Sequence, residues 1–163
     1  MNKVTIMEAL GHSSPQSVSL ICVPRPDGAT NLAPVAWWTY LESEPPMVGF
    51  SMAKQSYTAE LVADVGKLAL VLPAEEIADD VLKCGMATGR DVDKAAEYGI
   101  ELAGDSVKYP VESKLVFICN VSQNVPVGDC VFFVCDVAEI LLDEAKRHIY
   151  TTNKMESLRA ITL

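Results

Sequence analysis

Two apolar, β-branched runs near the carboxyl end, residues 114–121 and 130–142, constrain the fold more than any other stretch. Val127-Gly128-Asp129 lies between them, and a Gly-Asp turn joining such runs reads as an antiparallel hairpin. A second hairpin opens the chain. Residues 17–23 are apolar and β-branched, Asp27-Gly28 supplies the positive φ angles of a tight turn, and residues 30–40 return as the partner strand. Pro34 cannot donate to a ladder, which places that strand at an edge or a bulge. Glu44-Pro45-Pro46 reads as a stiff extended connector to a third strand over residues 47–52, and residues 67–72 form a buried strand that stops at Pro73.

Helical signals fall between these strands. Ser56 is a candidate N-cap and Gly66 a C-terminal stop for a helix over residues 59–65, with Tyr57, Leu61 and Val65 recurring on one face. Residues 74–84 read as a helix with acidic first turns and Ile77, Val81 and Cys84 on its inner face. Residues 88–94 lead into another short helix that ends at Gly99 and sets Arg90 near Lys94; the spacing alone makes neither a ligand. Without strict strand–helix–strand alternation a parallel doubly wound sheet is disfavoured, and an antiparallel barrel with helices outside is predicted. The tail from residue 145 to 163 is mixed and short.

The 163 residues suit one domain spanning 1–163. Half of them are hydrophobic and the mean hydropathy is +0.20, yet no apolar run reaches the ~20 residues of a membrane helix. Glu8 interrupts what would be the apolar core of a signal peptide, so a cytoplasmic protein is expected. Apolar excess in so small a chain points to surface buried in an oligomer. The net charge of −9 disfavours nucleic acid and anionic membrane as partners. It leaves room for an anionic cofactor, which needs only a few N–H groups and a cation or two. The five cysteines, an odd count without a CxxC pair, read as reduced and buried, and neither histidine sits in a metal-binding pattern.

Two stretches carry the functional signal. Residues 28–39 set both tryptophans of the chain, Trp37 and Trp38, beside a run of small residues, a combination that gives a flat ligand a rigid wall and a close approach to the backbone. The alternative is that Trp37 and Trp38 point to opposite faces of one strand, one into a core and one into a subunit contact. Lys54, Ser56 and Thr58 cluster at a helix N-terminus, where an anion is favoured; alternatively Ser56 and Thr58 only cap the helix and Lys54 is solvated. There is no GxGxxG, no GxxxxGK[ST] and no GxSxG, and no side chain is assigned a catalytic role. Whatever chemistry occurs belongs to a bound cofactor.

Taken in order, Asp27-Gly28, Asn31 to Trp37, Pro45 to Ser51, Lys54 to Thr58, Asp93-Lys94 and Val127-Gly128-Asp129 resemble the flavin-reductase-like, flavoredoxin-type FMN-binding split barrels. The resemblance implies a mainly β fold with peripheral helices, a six-stranded antiparallel Greek-key split barrel, and a homodimer with FMN at its interface. It implies that Asn31, Ala33, Pro34, Ala36, Trp37, Trp38 and Thr39 line the isoalloxazine. Ser51, Lys54, Ser56 and Thr58 would receive the phosphate, with Met52 and Ala53 in the same segment and Lys94 a further cofactor contact. Cys130 departs from the pattern, because the family often carries histidine after the Gly-Asp turn. The implied activity is electron transfer from NAD(P)H through FMN to flavin or another acceptor; the alternatives are an electron carrier served by partner proteins, or a flavin-binding module.

Overall fold

The computed structural model describes residues 1–153 and 156–161. The parts of the tail at 154–155 and 162–163 lie outside the described residues. In chain order the elements are α1 (Ile6–His12), β1 (Ser19–Pro24), β2 (Thr30–Val35), β3 (Trp38–Ser43), β4 (Pro46–Ala53), α2 (Tyr57–Val65) and β5 (Lys67–Pro73). A 3₁₀ turn (Glu75–Ile77) then runs into α3 (Ala78–Met86), followed by α4 (Lys94–Tyr98), β6 (Leu102–Ala103), β7 (Tyr109–Pro110), β8 (Ser113–Val127), β9 (Cys130–Leu142), β10 (Ile149–Thr152) and β11 (Ser157–Ala160).

Seven strands form one antiparallel sheet in the order β2-β1-β5-β8-β9-β4-β3. Its two edge strands, β2 and β3, are consecutive in the chain, with only Ala36 and Trp37 between them. A flat sheet of this width would hold its edges about 29 Å apart, whereas that connection reaches about 10 Å. The sheet therefore curls into a barrel whose seam is the Ala36-Trp37 bend. At the bend the Ser51 N–H donates to the Trp37 carbonyl at 2.8 Å, extending the β3–β4 ladder by one residue. The count of strands is seven rather than the six expected, because the predicted strand over 30–40 breaks at the bend and supplies both edges. Pro34 stands on the edge strand β2, where its missing N–H costs no ladder bond.

Strands β1 and β5 are buried on both faces, which is why they read as unbroken apolar runs. Ile21, Val23, Leu68 and Leu70 point into the barrel with Phe50 and Phe133, a cross-strand pair with ring centroids 5.2 Å apart; α2 closes this core with Leu61 and Val62. Leu20, Cys22, Ala69 and Val71 point the other way and pack under Ile77, Val81 and Cys84. Each large buried side chain contributes roughly 1.5–3 kcal/mol, so the two layers together hold the strands in register.

Other predictions need amending. Glu44 and Pro45 form the two-residue turn of the β3–β4 hairpin rather than an extended connector. Val65 is 42% exposed and does not share the buried face of Leu61. The helix expected over 74–84 starts with a 3₁₀ turn and runs to Met86. The tail forms a β10–β11 hairpin, and α1 was not anticipated. Among the described residues no helix is long and apolar enough to cross a membrane.

Candidate functional site

The barrel seam opens into a cavity of about 840 Å³. Its strand side is Ala33, Pro34, Val35, Ala36 and Trp37; opposite lie Cys84, Gly85, Ala87, Thr88 and Gly89 from the end of α3 and the loop after it. Small residues keep these walls close. A Cβ on Gly85 would stand 3.0 Å from the Pro34 ring, and one on Gly89 would collide with Asn31 Oδ1 at 1.9 Å.

One end of the cavity is the start of α2. Ser56 is its N-cap, with Oγ accepting the Ala59 N–H at 3.1 Å, and Gly66 ends the helix at φ 67°, the left-handed conformation glycine adopts without strain. Among the described residues neither the Tyr57 nor the Thr58 N–H has an acceptor, so two donors of the first turn remain free beside the cavity. Arg90 joins them there, its guanidinium over the Tyr57 ring at 4.9 Å and ion-paired with Glu60.

The other polar feature is a buried lysine. Lys94 is 4% exposed, lines the cavity, and donates to the carbonyls of Leu32 at 2.8 Å and Cys84 at 2.6 Å. Asp93 fixes its position by capping α4, accepting from the Ala95 and Ala96 N–H groups. Burial lowers the Lys94 pKa, against the pull of Cys84, and among the described residues no carboxylate lies within ion-pairing distance of its ammonium. Burial in turn pushes the Cys84 thiol up to about 11, so it stays protonated at neutral pH.

The structure gathers Ala33, Pro34, Ala36, Trp37, Ser51, Met52, Ser56, Thr58 and Lys94 around this one cavity. The remaining candidates lie elsewhere. Asn31 is buried behind the lining, where its Nδ2 donates to Thr58 Oγ1 at 2.8 Å while Oδ1 has no partner among the described residues. Trp38 and Thr39 are on β3, past the bend, and border a separate groove of about 410 Å³ that shares only Ala36 and Trp37 with the cavity. The adjacent tryptophans have thus parted at the bend, Trp37 lying within it and Trp38 opening β3. Trp37 is 48% exposed in the cavity, and Trp38 donates its indole N–H to Ser17 and packs against Tyr40 and Phe117. Ala53 and Lys54 are exposed, and the Lys54 ammonium donates to the Gly128 carbonyl at 2.6 Å instead of lining the cavity. Cys130 opposes Ala53 across the β4–β9 ladder, also outside it.

Sequence reasoning overlooked the loop residues 87–90 and the wall formed by Met7, Leu10 and Gly11 of α1. The first left only a weak signal, a glycine in a polar loop. The second had a sharper one: Thr5-Ile6-Met7-Glu8 is a capping-box pattern, and both of its reciprocal hydrogen bonds form.

A seven-stranded antiparallel barrel with a ligand-sized cavity at its split seam defines the class. The sequence model of the flavin reductase like domain matches residues 11–159, and the chain belongs to that family. It is 36% identical over 70 residues to the uncharacterized protein YddH of Escherichia coli, a match covering 43% of this chain and 37% of that protein's length. Among solved structures it superimposes on a flavoredoxin from Methanosarcina acetivorans with a TM-score of 0.82 at 20% identity, over 100% of this chain and 93% of the other. An FMN-binding protein from Thermus thermophilus with bound p-hydroxybenzaldehyde gives a TM-score of 0.80 at 18% identity, over 93% and 90%.

Proposed function

We propose that this chain binds FMN at the barrel seam and acts as an oxidoreductase, passing electrons from NAD(P)H through the flavin to an acceptor. The observation that carries the reading is the pairing, in one cavity, of flat apolar walls with positive potential. Ala33, Pro34 and Trp37 suit a planar ring, while the free N–H groups of Tyr57 and Thr58 with Arg90 suit a phosphate. Buried Lys94 adds a charge without a carboxylate partner, as a cavity meant for an anionic ligand would. FMN-binding relatives of the same fold support the choice of cofactor.

Bound FMN supplies hydride and single-electron chemistry. The chain's residues bind and orient it: Trp37 and Pro34 hold the ring, the start of α2 holds the phosphate, and Lys94 favours negative charge on the ligand. A homodimer is part of the proposal. Tyr40, Leu41, Ile140 and Leu142 are each more than 40% exposed, and Tyr40, Leu41 and Ile140 border a groove of about 520 Å³, apolar surface that a second copy would cover.

Titration with FMN tests the reading. Fluorescence of the protein should be quenched with a micromolar or tighter dissociation constant, and Trp37→Phe should abolish most of that quenching while Trp38→Phe preserves it. A protein that shows no quenching and stays colourless would refute the cofactor. Anaerobic stopped-flow mixing with NADH and with NADPH then tests the donor: rapid bleaching with either supports the reductase, and none with both points to a carrier reduced by another protein.

A further inference from the structure

The amino-terminal helix α1 forms one wall of the cavity and is the least attached element of the chain. Its capping is internal: the Thr5 N–H donates to the Glu8 carboxylate at 2.7 Å, the Glu8 N–H donates to Thr5 Oγ1 at 3.3 Å, and the Ser13 N–H closes the other end on Ala9. Among the described residues, no hydrogen bond or ion pair joins residues 1–12 to anything beyond Ser13. The firm anchorage begins immediately after, where Ser14 Oγ donates to the Thr151 carbonyl at 2.8 Å and the Gln16 N–H to Thr151 Oγ1 at 2.9 Å.

No residue of α1 is buried, and Met7 is 72% exposed. Seven residues are too few for a stable helix in water, so α1 needs an apolar surface to lie on. Met7, Leu10 and Gly11, spaced i, i+3 and i+4, form its inner face, and that face borders the same cavity as Trp37 and Pro34. The helix thus looks onto a space of about 840 Å³ where packed side chains would normally be.

We propose that α1 is a lid that closes on the planar ring of the bound ligand, with Met7 and Leu10 packing from its side of the cavity and Trp37 from the strand side. The inference rests on the flavin reading above. A flexible thioether beside an aromatic surface is a favourable contact, and an occupied cavity supplies the surface that α1 otherwise lacks. Ligand binding and docking of α1 therefore stabilise each other, with Ser13 as the point where the lid joins the fixed barrel.

Two measurements on the full-length chain test this. Hydrogen exchange of amides 6–12 should slow by about tenfold when FMN is added. In the double variant Met7→Ser/Leu10→Ser, dissociation of both FMN and riboflavin should quicken by about tenfold, with association changed less than about threefold, because the lost contacts form after the ring has entered. Unchanged exchange in a protein whose fluorescence responds to FMN would overturn the lid and leave the cofactor assignment standing. Off-rates within about twofold of the unsubstituted chain, or an effect confined to FMN, would overturn it too, since the second outcome would place α1 at the phosphate. Absence of any response to FMN would overturn the cofactor reading and the lid with it.

Discussion

Two walls of the cavity are built in opposite ways. On the side of β2, α3 and α4, a buried ammonium ties the carbonyl of Leu32 to that of Cys84, Asp93 caps the helix that carries it, and the underlying layer of Leu20, Val71, Val81 and Ile100 is packed shut. On the side of α1 there are only apolar contacts and a helix that satisfies its own ends. The difference shows what each kind of interaction is suited to. A buried charge held by directional bonds specifies one geometry, because any displacement leaves polar groups unpaired; apolar contact lets an element dock and lift at low cost.

The largest expected effect comes from breaking the fixed wall. Lys94→Ala leaves two carbonyls without their donor and a hole where a four-carbon stem lay, which should cost about 3–4 kcal/mol and lower the melting temperature by about 10 °C for a chain of this size. Met7→Ser/Leu10→Ser, on the other wall, should shift it by less than about 2 °C. Differential scanning calorimetry compares them, and equal shifts would erase the distinction between the walls.

The anchorage below the lid gives the next largest effect. Trp38 donates its indole N–H to Ser17 Oγ, which lies 3.0 Å from His148 Nε2, and the His148 ring stacks on Tyr150 at 4.2 Å. The serine proton is then free to go to a neutral imidazole, and burial lowers the His148 pKa from 6.5 to about 4. Between these values the unfolded chain takes up a proton that the folded one refuses, so stability falls as pH drops from about 6.5 towards 4. The loss should approach about 3 kcal/mol at the acid end. Urea melts at pH 7 and pH 4.5 should show that His148→Gln loses about 2 kcal/mol less than the unsubstituted protein over this interval. Identical losses in the two proteins would mean that carboxylates alone set the acid limit.

What could be read from the sequence follows the same division between periodic signals and tertiary ones. Ser56, Gly66 and Pro34 each announce a local conformation through their own chemistry, and the structure bears out all three, whereas of Asp27-Gly28 only Gly28 takes a positive φ, 87°, within a connection that spans residues 25–29. The barrel class followed from hairpin order. The break between Val35 and Trp38 was invisible because both flanking segments are β-like, and only closure of the sheet demands a bend there. The resemblance placed Lys94 at the site, but its burial was hidden, since that depends on two carbonyls that are 62 and 10 residues away in the chain.

Lys54 is the counterpart that the sequence made conspicuous and the structure leaves at the rim. It precedes the cap of α2, where an anion would be favoured, but its side chain is exposed and its ammonium reaches the Gly128 carbonyl at the β8–β9 turn. With Tyr57 N–H, Thr58 N–H and Arg90 inside the cavity, the phosphate has nearer donors. Lys54→Ala should therefore change FMN affinity by less than about 0.5 kcal/mol, as surface substitutions do, and should leave the ratio of FMN to riboflavin affinity unaltered. Calorimetric titration of the two ligands into both proteins provides the measurement. A loss of about 1.5–3 kcal/mol confined to FMN, the scale of a hydrogen bond to a charged group, would move the phosphate out to the rim and require the Lys54 side chain to leave Gly128 when the ligand binds.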